Sequence, residues 1–122
     1  MKENIPTKAE LEILQILWRL GPTTVRKVHE AMGRATGYTT VLKMLQIMTE
    51  KGLVDRETEA KAHVYRARAN EKRATGEFIH ELVERVFGGS SLRLVMQALN
   101  SQKSSPGELK KIRKLLDELE NK

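Results

Sequence analysis

The 122-residue chain has no cysteine, and aromatic residues make up only 4% of it. Without cysteine the chain can form neither a disulfide framework nor a thiolate metal site, which fits a reducing cytosol. No apolar run approaches the roughly 20 residues of a membrane span. Met1–Asn4 leads straight into a helix pattern rather than into a signal segment. These absences predict a cytoplasmic protein that does not insert into membranes.

The sequence also lacks the patterns that catalysis or metal binding requires. Its three histidines, His29, His63 and His80, are separated by 34 and 17 residues, which match no local metal-ligand spacing. Gly88-Gly89-Ser90 is not followed by the Gly-Lys-Ser/Thr of a phosphate-binding loop, so it is interpreted as a helix break. No carboxylate has a partner base or an implied pocket. We therefore expect neither an enzyme, nor a bound metal, nor a cofactor.

The charge that is present is basic, with a net charge of +6 and a pI near 9.7. Residues 1–70 carry 12 lysines and arginines against 8 acidic residues, and residues 71–122 carry 10 against 8. Such a balance favours an anionic partner, nucleic acid above all, although a modest and evenly spread excess does not establish one. The length suits one compact domain, or one small domain with an appendage.

The segment from Tyr38 to Val54 is the most informative part of the chain, because it predicts a helix followed directly by a strand. Three apolar residues fall on one helical face at i, i+4 and i+7: Val41, Leu45 and Met48. Three polar residues share the same spacing on another face: Thr39, Lys43 and Gln46. Gly52 provides a C-terminal stop. A helix with one buried and one hydrogen-bonding face suits the DNA major groove, and an ordinary amphipathic surface helix has the same pattern.

Two helices are predicted before this segment. Thr7, with Glu10 three residues later, makes a capping box at the start of the first helix, and Gly21-Pro22 ends it. Thr23 or Thr24 can cap a second, shorter helix. Together with the third helix, they give the helical part of a helix-turn-helix unit.

Two short strand patterns follow, at Leu53–Glu57 and His63–Ala67, and Thr58–Ala62 would form the hairpin loop between them. Three helices followed by a hairpin are the order of a winged helix-turn-helix domain, which we place at residues 1–70. The fold class expected for the whole chain is mainly α with a small β-hairpin.

This order predicts a DNA-binding surface made from the third helix and the hairpin. The residues expected to face the groove and adjacent phosphates are Tyr38, Thr39, Thr40, Lys43 and Gln46. In the hairpin, the residues expected to contact phosphates are Lys61 and Arg56. The alternative for the hairpin is a solvated surface, since basic residues on exposed strands are common.

Residues 71–122 are predicted to form a helical region that begins one of its helices at Ser105, with Pro106 at the first helical position and Glu108 completing a capping box. About fifty residues in three short helices bury little apolar area alone. Their apolar faces must therefore pack on the first domain or on another chain. Self-association is favoured, because helix-turn-helix proteins commonly bind DNA as twofold dimers. The apolar residues expected at the dimer interface are Phe78, Leu82, Val83, Val86, Leu92, Val95, Leu109, Ile112, Leu116 and Leu119.

Motifs along almost the whole chain resemble the penicillinase-repressor family, of the BlaI/MecI type. The motifs of the first two helices are Pro6-Thr7, Glu10, Glu12-Ile13-Leu14, Leu17-Trp18, Gly21-Pro22, Thr24-Val25 and Val28. The motifs of the recognition helix, the wing and the C-terminal break are Tyr38-Thr39-Thr40-Val41-Leu42, Lys51-Gly52-Leu53-Val54, His63-Val64-Tyr65-Arg66-Ala67 and Phe87-Gly88-Gly89-Ser90.

The resemblance implies a dimeric transcriptional repressor that occupies inverted-repeat operators through an N-terminal winged helix. In that family a membrane sensor that meets a β-lactam triggers cleavage of the repressor, so a regulatory protease is an implied partner. The chain departs from the family at Ala60, where the wing often has glycine. It also departs at Asn100-Ser101, where the family has asparagine before a bulky apolar residue. The rival interpretation is a winged-helix adaptor that binds proteins and no DNA.

Overall fold

The computed structural model describes residues 5–33, 35–59 and 61–122, with Glu59 described by its backbone alone. The expectations for Met1–Asn4 and for the substitution at Ala60 lie outside the described residues. In chain order the elements are α1 (Lys8–Leu20), β1 (Thr23–Thr24), α2 (Val25–Met32), α3 (Tyr38–Glu50), β2 (Val54–Glu59), β3 (Ala62–Ala67), α4 (Glu71–Val86), α5 (Ser91–Ser101) and α6 (Pro106–Glu120). The order confirms a winged helix followed by a helical region.

The capping box predicted at the start of α1 is confirmed. The Thr7 hydroxyl accepts a hydrogen bond from the Glu10 amide at 3.1 Å, and the Glu10 carboxylate accepts one from the Thr7 amide at 2.9 Å. At its other end α1 stops at Gly21, whose φ of 78° a residue with a side chain rarely adopts. Thr24 caps α2 by accepting a hydrogen bond from the Lys27 amide at 3.3 Å, whereas Thr23 lies in β1.

The predicted hairpin is part of a three-stranded antiparallel sheet in the order β1-β3-β2. The two-residue strand β1 was not predicted, because two residues are too few to show a periodicity. In the sheet, Thr23 of β1 pairs with Tyr65 of β3. The predicted loop Thr58–Ala62 was too long, since the ladder continues to the pair Glu59 and Ala62. Lys61 then takes a φ of 69°, the left-handed conformation that lets so short a connection reverse the chain.

By its internal contacts the chain divides into two compact units, Met1–Glu81 and Leu82–Lys122, and the division falls within α4. The first unit holds the hydrophobic core, in which helices α1 to α3 pack with the sheet and with the first turns of α4. Its fully buried large side chains are Tyr65, Ile13, Leu14, Leu17, Leu45, Met48, Val28, Val41 and Val54. The Trp18 indole donates to the Ala69 carbonyl at 3.0 Å and so joins α1 to the chain after β3.

The second unit contains the end of α4 together with α5 and α6. Ser90 caps α5, and Ser105 and Glu108 form the predicted capping box at α6, with Pro106 in the first turn. Neither α5 nor α6 buries a residue in the described chain, although both carry apolar side chains. No helix within the described ranges is long and apolar enough to cross a bilayer.

Candidate nucleic-acid interface

Helix α3 packs one face into the core and leaves the opposite face in solvent. Its predicted apolar residues, Val41, Leu45 and Met48, are all fully buried. The predicted polar residues Thr39, Lys43 and Gln46 are all exposed. A helix turns 100° per residue, so these three side chains lie on the side away from the core, with Lys43 at the centre. The exposed face is therefore a polar strip along a helix that the core holds in place.

Ile47 belongs to the same exposed strip, and sequence reasoning missed it. It lies one turn after Lys43 and is 41% exposed, although it is a large aliphatic residue. Its position four residues after Lys43 indicated the exposed face of the helix. An aliphatic side chain is nevertheless expected in the core, so the position was not recognised. An exposed aliphatic group beside hydrogen-bonding side chains can contact a thymine methyl group in the major groove.

The N-terminal end of α3 is open. Tyr38, Thr39 and Thr40 are all exposed, and the N-cap residue Gly37 provides no side-chain hydrogen bond to the first-turn amides. Free amides and the positive end of the helix dipole favour an anion at this end. The Tyr38 ring is held by an edge-to-face contact with His29 of α2, with 5.9 Å between the ring centroids and planes at 84°.

The C-terminal end of α3 is fixed to the start of α1 by an ion pair that sequence reasoning did not predict. The Lys51 ammonium lies 2.6 Å from the Glu10 carboxylate and also donates to the Ile5 carbonyl at 3.4 Å. The Glu10 side chain is only 8% exposed and the Lys51 side chain 22%. The signal was present, because Glu10 has the helical spacing of the buried residues Ile13 and Leu17. This contact holds the exposed face of α3 at a defined orientation to α1.

Two of the cations in and beside the hairpin form ion pairs with acidic residues of the neighbouring strand. Arg66 pairs with Glu57 and Arg68 pairs with Asp55, so these arginines are neutralised within the hairpin. Hydrogen bonding from Arg68 lowers the pKa of Asp55, and the same contact raises the pKa of Arg68.

The two cations predicted as phosphate contacts, Arg56 and Lys61, are exposed and have no ion-pair partner among the described residues. Arg56 pairs with Tyr65 across the ladder, so it lies on the sheet face turned toward the helices. Lys61 occupies the tip of the hairpin. Among the described side chains of the hairpin, these two positions therefore carry the unpaired positive charge.

A cleft of about 530 Å³ lies between the start of α2, the start of α3 and the hairpin tip. Arg26, Tyr38, Lys61 and His63 are among the residues that line it. Arg26 was not predicted as a site residue. The sequence did contain an indication of its role, because Arg26 lies in the first turn of α2, two residues after the cap Thr24. A cation is unusual there because the helix dipole disfavours it.

The histidines have no common partner in the described part of the chain, where no three His, Asp or Glu side chains could hold a metal ion. His29 packs against Tyr38, and His63 forms a hydrogen-bonded contact of 3.3 Å with Thr58. His80 is exposed on α4.

The residues predicted for dimerisation differ in exposure. Val83 is buried within the chain itself, and four are partly buried: Phe78, Leu82, Leu109 and Ile112. The other five are exposed, from 48% to 67%: Val86, Leu92, Val95, Leu116 and Leu119. Three further large apolar residues of α5 and α6 are also exposed and were not in the predicted set: Met96, Leu99 and Leu115.

Comparison with known proteins identifies the class to which this winged helix belongs. A sequence model of the penicillinase repressor family matches residues 6–118. The Penicillinase repressor of Bacillus licheniformis is 22% identical over 116 residues, which cover 93% of this chain and 91% of that protein. The Transcriptional regulator BlaI of Mycobacterium tuberculosis is 42% identical over 59 residues in two strains, covering 46% of this chain and 43% of that protein.

The chain therefore belongs to the penicillinase repressor family. This is a family of transcriptional repressors and not of enzymes. The resemblance found in the sequence is confirmed over nearly the full length of the chain.

Proposed function

We propose that the chain is a cytoplasmic repressor that occupies a palindromic operator as a homodimer, with α3 of each subunit in a major groove. The observation that carries the proposal is the exposed polar face of α3, centred on Lys43 and fixed by three fully buried residues on the opposite side. A rigidly held helix with donors along one side matches the depth and the hydrogen-bonding groups of the major groove.

Within the groove the exposed face divides into base contacts and backbone contacts. Thr39, Lys43 and Gln46 provide hydrogen-bonding groups for base edges, with Ile47 available for thymine methyl groups. Tyr38 and Thr40 lie at the open N-terminal end, where hydroxyl groups and free amides suit phosphate oxygens.

The phosphate contacts outside the groove come from the cleft beside α3 and from the hairpin. Lys61 and Arg26 both line the cleft, and neither has an ion-pair partner among the described residues. Arg56 adds a third exposed cation on the hairpin. Phosphates beside these cations would stabilise their charges and fix the register of α3 on the duplex.

The proposed dimer rests on apolar residues that the single chain leaves in water. Residues 71–122 are the proposed dimerisation region, and residues 1–70 the proposed DNA-binding domain. In α5 and α6 the apolar residues predicted for the interface are more than one-third exposed or only partly buried. Burying a leucine side chain is worth about 1.5–3 kcal/mol, so pairing these faces between two subunits is strongly favourable.

Relief of repression by a protease is the second part of the proposal. The bond Asn100–Ser101 lies in the last turn of α5, and both residues are exposed. The connection from Gln102 to Ser104 follows it directly and lies outside the helices. A cut there would separate α6 from the rest of the chain and remove four of the ten residues proposed for the dimer interface. N-terminal sequencing of repressor recovered after induction would locate such a cut.

The experiment that tests DNA binding is a selection of operator sequences from a random duplex library. We expect inverted repeats with half-sites about one helical turn apart or a multiple of it. The relative from Bacillus licheniformis is named a penicillinase repressor, so promoter DNA of a penicillinase gene is the first natural target. Lys72→Ala, which removes an exposed lysine from α4, is the matched control for Lys43→Ala on the exposed face of α3. Failure to retain any duplex would contradict the proposal and favour the protein-binding adaptor.

A further inference from the structure

We propose that helix α6 carries a second nucleic-acid contact, a basic face that binds the sugar–phosphate backbone of duplex DNA without reading its sequence. The basic face of α6 is defined by four cations: Lys110, Lys111, Arg113 and Lys114. This inference rests on the proposed function in one respect only, namely that the protein binds DNA. The surface belongs to Leu82–Lys122, the unit that does not contain α3.

The four cations and the apolar residues occupy opposite sides of α6. At 100° per residue, Lys110 and Lys114 lie opposite the row of Leu109, Ile112 and Leu116. Lys111 and Arg113 flank this pair on its two sides. All four cations are exposed, and with Asp117 they line a shallow depression of about 410 Å³. If the apolar row meets a second subunit, the basic face remains turned to solvent.

The helix does not neutralise these charges itself. Lys110 lies one turn from both Arg113 and Lys114, and Lys111 lies one turn from Lys114, so three like-charged pairs are neighbours on the surface. Such pairs destabilise a helix. Acidic residues are spaced to reach three of the cations: Asp117 for Arg113 and Lys114, Glu118 for Lys114, and Glu108 for Lys111. None of the four cations nevertheless forms an ion pair in the described part of the chain.

Beyond the favourable Glu108 in the first turn, the order of charge along α6 also opposes helix stability. The last turn contains no basic residue, and the acidic residues Asp117, Glu118 and Glu120 gather at the C-terminal end. The helix dipole favours the reverse arrangement, with cations at that end. A charge pattern that weakens its own helix, without a compensating contact inside the chain, indicates a compensating partner outside it.

The partner that best fits is a chain of regularly spaced anions. Lys110 and Lys114 are about 6 Å apart along the helix axis, from a rise of about 1.5 Å per residue. The lysine ammonium is a compact charge on a flexible stem, so it can reach phosphates in different positions. This property suits contact with the backbone rather than recognition of bases. The unit Leu82–Lys122 has eight lysines and arginines against five acidic residues, so its field favours the approach of an anionic polymer.

The test compares two full-length variants of equal net charge in salt titrations on a random-sequence duplex of several helical turns. The first replaces the basic face by Lys110→Gln, Lys111→Gln, Arg113→Gln and Lys114→Gln. The control removes four exposed cations outside α6 by Lys8→Gln, Arg19→Gln, Arg93→Gln and Lys103→Gln. Glutamine has nearly the helix propensity of lysine and arginine, so α6 is expected to persist. Circular dichroism and light scattering check that both variants keep the wild-type helix content and size.

We expect the basic-face variant to lose about 2–3 units of the salt-dependence slope and to bind about tenfold more weakly, while the control stays within about twofold of wild type. The preference for operator over random duplex should be unchanged, since the contact is sequence-independent. A second variant, Lys110→Gln with Lys114→Gln, should give about half of the slope change.

Three outcomes would separate the alternatives. A basic-face variant indistinguishable from the control would overturn the inference and leave the proposed function intact. Loss of binding to polyglutamate, with duplex binding retained, would assign the face to an acidic protein and would also overturn it. A wild-type chain that binds no duplex would overturn the proposed function itself.

Discussion

The ion pair between Glu10 and Lys51 predicts a strong dependence of winged-helix stability on a single lysine. Lys51→Met would leave the Glu10 carboxylate, 8% exposed, without its cation. Breaking a buried pair costs about 3–5 kcal/mol, and we expect about 3 kcal/mol because Lys51 is 22% exposed and water can reach the vacated position. The pairs of the hairpin provide the contrast. Arg68→Met removes a more exposed pair, which solvent screens, so a much smaller loss of stability is expected.

Glu10→Gln should cost less than Lys51→Met, although both remove the same pair. The glutamine amide can still accept the hydrogen bond from the Thr7 amide, and the freed ammonium of Lys51 can turn to solvent. We expect about 1.5 kcal/mol, near the value of a hydrogen bond to a charged group. The double variant should cost less than the sum of the single changes by at least about 1.5 kcal/mol.

Urea denaturation followed by tryptophan fluorescence measures the free energy of unfolding of the compact unit that contains this ion pair. Trp18 is the only tryptophan of the chain, and its indole donates to the Ala69 carbonyl within the winged helix. Its emission therefore reports unfolding of Met1–Glu81. If Lys51→Met destabilises the protein no more than Arg68→Met does, the Glu10–Lys51 pair does not fix α3 to α1, and the reasoning from burial is refuted.

Three further predictions concern binding, assembly and pH. Lys43→Ala should keep the fold and weaken operator binding by about 1–3 kcal/mol if Lys43 reads a base, whereas equal loss on operator and random DNA in a gel shift would assign it to a phosphate. Leu116→Asp should give a monomer by light scattering with the winged helix folded, and should weaken full-operator binding on the order of 10²–10⁴-fold because the half-sites lose their tether; a variant that remains dimeric would place that residue elsewhere. The pKa of Glu108 is lowered by hydrogen bonds from the Ser105 amide and hydroxyl, so its stabilisation of α6 is present above the ordinary value of 4.5 and is lost as the pH falls through the lowered value. Amide exchange in the first turn of α6 should therefore quicken in acid, and Glu108→Gln should remove that acid-dependent change; equal pH dependence in both proteins would contradict it.

The helices could be predicted from the sequence because their signals are local. The capping boxes at Thr7 and Ser105 each depend on two residues three positions apart, and the buried face of α3 depends on spacing within a single helix. Such patterns are visible without knowledge of the tertiary structure.

The features that were missed depend on contacts between distant segments. Strand β1 exists only because Thr23 and Thr24 pair with Tyr65 and Val64 of β3, 42 and 40 residues later in the chain. The Glu10–Lys51 pair likewise joins residues 41 positions apart. In the hairpin, the sequence showed four neighbouring cations, and only the cross-strand register reveals that Arg66 and Arg68 are paired with acids. Residue types alone cannot give these pairings.

The salt dependence of operator binding tests the central claim most directly, because it measures the phosphates that the bound protein neutralises. For a dimer with several phosphate contacts in each subunit, the logarithm of the affinity should fall linearly with the logarithm of salt concentration, with a slope of at least about −4. Binding to the selected operator should exceed binding to a scrambled duplex at every salt concentration. A slope near zero, or equal affinity for the two duplexes, would contradict the claim that α3 and the hairpin bind an operator.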